Sequence, residues 1–331
     1  MALALVAALS LGVTWGSSDL SVAGVWSVVS RRLAGEPPRP GTDDLIVWQL
    51  RVPRALLAAL VGAGLGLVGT AVQALVRNPL ADPYLLGISS GAAFAAVAAT
   101  VLGVSGGLLA GVGLSTAAFG GALATFGLVW FFGRRAGGFS SLRLVLAGVG
   151  IGQLLGGLTS YLVLQGEDAQ QTNGVLFWLM GSLGGATWQD LPAPALAVAA
   201  SFVVLQWRAH ALNAIMLGDE TASALGIDGA RLRRELFVVT SVLTGVLVAV
   251  SGAIGFVGLL VPHVCRMLVG GDHRRLLPAS ALCGAVLMAV VDLVCRTALS
   301  DQELPVGVVT SVLGAPTLLY LINRRLEGGT S

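Results

Sequence analysis

The sequence predicts an all-α, polytopic integral membrane protein. Apolar residues make up 55% of the 331 positions and charged residues 11%, and the mean hydropathy is +0.86. Soluble domains carry about a quarter charged residues, so this balance excludes a soluble protein. Glycine occurs 46 times, which is typical of transmembrane helices that pack closely through small residues. We expect residues 1–331 to form one membrane domain.

Ten apolar segments follow one another along the chain, separated by stretches that carry most of the charged residues. The first segment lacks the basic leader of a signal peptide, so we expect it to be a membrane helix. Several segments are short for a span of about 20 residues, and short, interrupted segments in a bundle are typical of a transport pathway. The segments are 2–16, 52–76, 87–103, 107–132, 143–165, 191–207, 233–252, 256–269, 276–299 and 305–324.

The arginines predict the orientation, since the chain contains no lysine. With the N-terminus placed inside, thirteen arginines fall on the inner side and six on the outer side, which favours two cytoplasmic termini. Residues 17–50 then form an external loop with amphipathic structure around Val22–Val29, and residues 208–232 form a cytoplasmic loop. The outer arginines are Arg31, Arg32, Arg39, Arg51, Arg54 and Arg296.

The stretch from residue 51 to residue 92 is the most informative. A membrane-length run, RVPRALLAALVGAGLGLVGTAVQALV, is followed by the Pro- and Gly-punctuated break RNPLADPYLLGISSGA. Non-helical backbone at membrane depth persists only where protein or a water-filled pathway satisfies its polar groups. The break therefore indicates a transporter or a channel. Arg51 and Arg54 begin the run, where cations oppose the helix macrodipole, so we expect them to have another role.

The sequence contains no motif that predicts catalysis, nucleotide binding or metal binding. The GLGLVG match at 64–69 lies inside an apolar run, so it predicts helix packing and no dinucleotide site. A P-loop requires lysine, so we expect no ATP hydrolysis by this chain. His263, beside Pro262, is expected to be structural, and the sequence offers neither a catalytic residue set nor a metal site. The net charge of +2 gives no argument for nucleic-acid binding.

Two polar features remain. Asp292 and Arg296 are spaced i,i+4 and can pair on one helix face. The inner stretch 216–235, MLGDETASALGIDGARLRRE, has helical periodicity, with acidic residues in its first turn and Gly226 as a stop. It is either a solvated loop helix or a docking helix for a cytosolic partner.

Five stretches together resemble the permease subunits of type II ATP-binding-cassette (ABC) importers for iron chelates, haem and vitamin B12, the FecCD-like family. They are residues 51–92, WLMGSLGGATW (178–188), LGDETASALGI (217–227), residues 251–285 and LPVGVVTSVLGAP (304–316). The resemblance extends over about residues 45–325. It implies about ten transmembrane helices, a homodimer in the lipid of the bacterial plasma (inner) membrane, two cytoplasmic ATPase subunits and an external or periplasmic substrate-binding protein. ATP and Mg would bind to the ATPase subunits, and this chain would hold no cofactor.

The resemblance also implies roles for particular residues. Arg51, Arg54 and Arg296 would meet acidic residues of the binding protein. The helix that docks the ATPase would comprise Leu217, Gly218, Asp219, Glu220, Ala224, Leu225 and Gly226. The cytoplasmic gate would involve Asn78, Leu80, Ser140 and Ser141.

The sequence leaves two candidate classes of substrate. WLMGSLGGATW is more similar to siderophore and haem permeases than to the B12 type, so we expect an iron chelate, with vitamin B12 as the alternative. An ion-coupled secondary transporter would also explain broken helices, but typically places ionisable groups at mid-membrane. Asp292 is the only such candidate, and it is predicted to lie near a helix end.

Overall fold

The computed structural model describes residues 1–16, 18, 20–39, 41–103, 113–135, 138–166, 169–299 and 302–328. The start of the predicted segment 107–132, up to residue 112, lies outside this part. Residues 17, 19 and 40 of the predicted external loop lie outside it as well.

Helices dominate the described chain, which confirms the predicted all-α class. A π-helical turn, Leu45–Arg51, leads into α4, and a two-residue pairing of β1 (Arg134–Arg135) with β2 (Gly138–Phe139) lies between α6 and α7. The helices are α1 (Ala2–Thr14), α2 (Val22–Leu33), α3 (Thr42–Asp44), α4 (Val52–Val76), α5 (Ile88–Gly103), α6 (Leu114–Gly133), α7 (Ser141–Leu164), α8 (Ala169–Leu179), α9 (Pro192–Trp207), α10 (Ala209–Met216), α11 (Asp219–Ala224), α12 (Gly229–Ser251), α13 (Val257–Val269), α14 (His273–Thr297) and α15 (Val306–Gly328).

Each of the ten predicted apolar segments coincides with one of these helices. Within the described residues, six helical stretches are long and apolar enough to cross a membrane, and four further apolar helices are shorter. This pattern fits a polytopic membrane protein. The amphipathic structure predicted near Val22–Val29 is α2, and the predicted inner-loop helix is α11. The number of crossings and the side on which the termini lie stay predictions.

Helix α4 lies at the centre of the bundle and packs against α9, α12, α13 and α14. Its glycines permit direct contact between backbones. A methyl group at Gly62, Gly66 or Gly69 would overlap a carbonyl oxygen of α14 or α13. The GLGLVG stretch is therefore a packing surface, as predicted, because only glycine leaves room for such close approach.

The non-helical residues 180–182 meet the end of α12 with the non-helical residues 252–256 that follow it, and the start of α15. Three backbone hydrogen bonds join these segments, and such bonds offset the cost of non-helical backbone in a membrane bundle. The amide of Ile254 also donates to the hydroxyl of Tyr84 (2.5 Å), which follows the break after α4. The bonds between the stretches are Ser182 N to Ser251 O (2.9 Å), Val306 N to Gly181 O (2.9 Å) and Gly307 N to Met180 O (3.0 Å).

Candidate functional site

Charged residues collect at the end of the bundle where α4 begins and α14 ends. Arg54 donates through Nε to Asp292 Oδ1 (2.8 Å) and through Nη1 to Glu303 Oε1 (2.9 Å). Arg296 Nε lies 3.0 Å from Asp292 Oδ2, as an ion pair without hydrogen-bond geometry. These four residues and Arg51 are called the outer cluster here, because the arginine distribution predicts that this end faces outward. The predicted pairing of Asp292 with Arg296 is confirmed.

Two arginines of the outer cluster also bind the end of α1. Arg51 donates to the carbonyl oxygens of Thr14 (2.7 Å) and Ser18 (2.9 Å). Arg296 donates to the carbonyl oxygen of Gly12 (2.8 Å). The last carbonyls of a helix lack intrahelical partners and favour cations. The predicted position at a free helix N-terminus is wrong for Arg51, because the π-helical turn continues the helix back from α4 to Thr42. Its charge faces the C-terminus of α1, where it stabilises the helix.

The outer cluster is covered in this conformation. Arg51, Arg54 and Arg296 are 5–8% exposed, and Asp292 is 1% exposed. Glu303 is different, since its side chain is 44% exposed. Glu303 therefore forms the solvent-facing side of the cluster and lies between solvent and Arg54.

At the opposite end of the bundle, α11 forms a short projecting helix. Glycines precede and follow it, and both have positive φ angles, +119° at Gly218 and +74° at Gly226. Ala222 is its buried residue, whereas Leu217 is 72% exposed and Leu225 is 64% exposed. The two leucines therefore leave apolar surface exposed on either side of a polar helix.

Asp219, the first residue of α11, pairs with two arginines. Its Oδ1 accepts hydrogen bonds from Arg233 Nη1 (2.8 Å) and from Arg77 Nη2. The bond from Arg233 holds the pKa of the Asp219 carboxyl below its usual value, and Arg77 adds to the effect. A carboxylate with a lowered pKa stabilises the folded state above its ordinary pKa, and that contribution is lost as the pH falls through the lowered value. Both ion pairs therefore persist at neutral pH.

The residues predicted to form the gate lie beside the end of α4. Asn78 Oδ1 accepts a hydrogen bond from the amide of Leu80 (2.9 Å), which fixes the turn after the helix. Ser141 donates through Oγ to the carbonyl oxygen of Leu75 (2.5 Å), and Ser140 immediately precedes α7. The structure thus brings both halves of the predicted gate against the last turn of α4.

The structure groups the predicted residues into two sets, one at each end of the bundle. Arg77 and Glu303 were missed by the sequence analysis, although each contacts a predicted residue. Charge is the signal that could have identified them, because each lies at the same predicted end of the bundle as an oppositely charged residue of the predicted sets. Within the described part of the chain, no group of three or more His, Cys, Asp and Glu residues could hold a metal ion.

Known proteins match this chain over most of its length. The model of the FecCD transport family matches residues 3–324. The cobalamin import system permease protein BtuC of Halobacterium salinarum is 42% identical over 286 residues, which cover 86% of this chain and 75% of that one. The hemin transport system permease protein HmuU of Yersinia pestis is 40% identical over 330 residues, which cover 98% and 95%.

A solved structure has the same fold. It is described as a metal-chelate type ABC transporter in an inward-facing conformation, and it superposes with a TM-score of 0.83 at 33% identity. The superposition covers 98% of this chain and 97% of that one. The similarity therefore includes both ends of the bundle.

Proposed function

The chain belongs to the FecCD transport family and is the permease subunit of an ABC importer, and from this premise we propose that it imports an iron chelate, a siderophore or haem. Vitamin B12 is the second candidate. The observation that carries the choice is the resemblance to a metal-chelate type transporter, which covers 98% of this chain. Among the relatives, the hemin permease matches 98% of the chain at 40% identity, and the permeases named for cobalamin or vitamin B12 match 84–86% of it at 42% identity, so they support both candidates.

The substrate is tested with the substrate-binding protein that docks on this permease. Purified binding protein is titrated with haem, a ferric siderophore and cobalamin, and the metal-free siderophore serves as the control. We expect haem or the ferric siderophore to bind at least about tenfold more tightly than cobalamin, a difference of about 1.4 kcal/mol. Tight binding of cobalamin alone would establish the second candidate instead.

A second copy of the chain completes the pathway in this proposal, and two separate ATPase subunits drive it from the cytoplasm. The exposed side chains of Leu217 and Leu225, which lie on either side of α11, support the ATPase contact. Helix α7 supports the dimer, because it is largely uncovered and exposes Leu146, Leu154 and Leu158. Membrane lipid covers the remaining apolar surface. Uptake that persists without the ATPase would favour an ion-coupled secondary transporter.

The turn after α4 and the start of α7 serve as the cytoplasmic gate. Asn78, Ser140 and Ser141 are small and polar, and Leu80 is 38% exposed. Such side chains let a bulky chelate pass without coordinating it. The hydrogen bond from Ser141 to Leu75 supports joint movement of α4 and α7 at this point.

The outer cluster serves to dock the binding protein through acidic residues of that protein. Arg54 already pairs with two carboxylates of its own chain. Asp292 is buried and shared with Arg296, so it stays in place. Glu303 is the exchangeable partner, because its side chain is half exposed. Docking through Arg54 therefore replaces Glu303 with a carboxylate of the binding protein.

Replacing Glu303 with Gln is accordingly expected to strengthen docking, since it frees Arg54 from a competing carboxylate. A gain of up to about fivefold in affinity corresponds to the roughly 1 kcal/mol of an exposed ion pair. The measurement is the affinity of binding protein for the reconstituted permease at low and high salt, where screening reduces the gain.

The matched control is Glu36→Gln, which removes a carboxylate from the predicted external loop without touching Arg54. Glu303→Gln is also measured with Arg54→Gln already present, where no gain is expected. An equal gain from Glu36→Gln, or a gain that survives the loss of Arg54, would show a general charge effect and contradict the exchange.

A further inference from the structure

An ion pair joins the two parts proposed to function at the inner end of the bundle. Asp219 begins the docking helix α11, and Arg77 directly precedes the gate turn at Asn78. We propose that the Arg77–Asp219 ion pair couples α11 to the gate, so that movement of the docked ATPase displaces the turn after α4. This inference rests on the proposed docking and gate roles and adds the contact that joins them.

Asp219 is the residue through which a movement of α11 would reach the end of α4. The helix is short, and its glycine ends allow it to move relative to α10 and α12. Its firm contacts are buried Ala222 and the carboxylate of Asp219. One oxygen of that carboxylate holds Arg77 of α4 and Arg233 of α12 together. A displacement of α11 therefore acts directly on the side chain of Arg77.

The backbone at Arg77 indicates that its side chain is needed. Arg77 ends α4 in the left-handed conformation, with φ 55° and ψ 35°. Glycine is the usual residue at such a position, because a Cβ there costs about 1–2 kcal/mol. An arginine at this position has that conformational cost, and its guanidinium group reaches the docking helix.

The turn that follows Arg77 is stiff. Pro79 restricts its backbone, and Asn78 closes it through the hydrogen bond to Leu80. The amide of Asn78 also donates to the carbonyl oxygen of Gln73 (3.1 Å), which ties the turn to the helix. A shift of Arg77 is therefore passed to Asn78 and Leu80 rather than absorbed between them.

Docking itself would strengthen the pair. In the isolated chain, the side chains of Arg77 and Asp219 are 34% and 56% exposed, and exposed ion pairs are weak. A partner seated on Leu217 and Leu225 would exclude water from the neighbouring Asp219. Lower effective dielectric strengthens the attraction, so coupling would be greatest when the ATPase is bound.

The test uses the complete transporter in liposomes, in a background without Cys265, Cys283 and Cys295 and with Leu80→Cys as a gate reporter, which keeps the hydrogen bond from the amide of residue 80 to Asn78. Cross-linking between the two copies is measured with and without trapped ATP, together with transport per ATP hydrolysed. Arg77→Ala is expected to retain ATPase pull-down and melting temperature. Transport per ATP should fall about fivefold or more, the lower end of typical coupling between sites, and cross-linking should no longer respond to ATP.

Further variants separate the ion pair from a structural role. Asp219→Ala should reproduce the defect, and adding Arg77→Ala to it should cause no further loss, because the contact between the two residues is already absent. Arg77→Lys keeps a charge and should restore part of the ratio. Arg275→Ala removes another arginine of the predicted inner side and should leave the ratio and the gate response unchanged.

The outcomes distinguish this inference from the roles on which it rests. If the Leu80→Cys reporter never responds to ATP when Arg77 is present, the gate assignment is wrong, and the inference is wrong with it. If the reporter responds to ATP and Arg77→Ala changes neither that response nor transport per ATP, only the coupling inference is overturned.

Discussion

Leu217→Asp is expected to abolish transport while the chain still inserts into the membrane. Leu217 is 72% exposed beside α11, so the free permease tolerates a charge there. In the proposed contact with the ATPase, the new carboxylate would be buried without a partner, which costs several kcal/mol. Affinity for the ATPase should fall about 100-fold or more, which corresponds to about 2.7 kcal/mol. The measurements are ATPase pull-down by the purified permease and uptake in liposomes.

The conservative change Leu217→Met keeps an apolar side chain of similar volume and should retain both pull-down and uptake. Normal melting behaviour of Leu217→Asp without ATPase would show that the defect lies in association. Full pull-down and normal uptake by Leu217→Asp would mean that α11 is a solvated loop helix, the alternative that its sequence left open.

Gly69→Val is expected to prevent formation of the folded permease. A Cβ at Gly69 would overlap the carbonyl oxygen of Gly258. That obstacle is backbone, which cannot change rotamer, so α4 and α13 must separate. Overpacking of a core usually costs about 1–3 kcal/mol, and the cost here should reach or exceed the upper value. The measurements are the yield of monodisperse protein in detergent and its melting temperature.

Gly127→Val is the matched control, because it is the same change in α6 at a position where a Cβ meets open space. Its yield and melting temperature should stay close to those of the unaltered chain. If Gly69→Val gave the same yield and melting temperature as Gly127→Val, the close contact between α4 and α13 would not be present in the protein.

Helix positions were predictable because a membrane imposes long apolar runs. Helix α10 lies inside the predicted cytoplasmic loop 208–232, and α8 was not predicted as a helix either, since its first half, beginning AQQTN, is too polar to resemble a span. Its second half lies next to WLMGSLGG, which was assigned only as a motif. Hydropathy therefore identified the long apolar helices and missed α8 and α10, which are shorter and only partly apolar.

The two sites were predictable as sets of residues, but their partners were not. Arg54 and Glu303 are 249 positions apart, and Arg77 and Asp219 are 142 positions apart. Spacing within one helix predicts only i,i+3 and i,i+4 pairs, which is why the pairing of Asp292 with Arg296 could be predicted. Contacts between distant segments depend on packing that one sequence does not reveal.

The arginines on the end of α1 have a consequence for the order of biogenesis. Arg51 reaches Thr14 from 37 positions further along the chain, but Arg296 reaches Gly12 from 284 positions further along. Since synthesis proceeds from the N-terminus, the first helix acquires one cation soon after its own insertion and the other only when the penultimate helix arrives. We expect a nascent chain that stops before α14 to hold its first helix more loosely, so that membrane proteases can recognise the unfinished chain at its oldest segment.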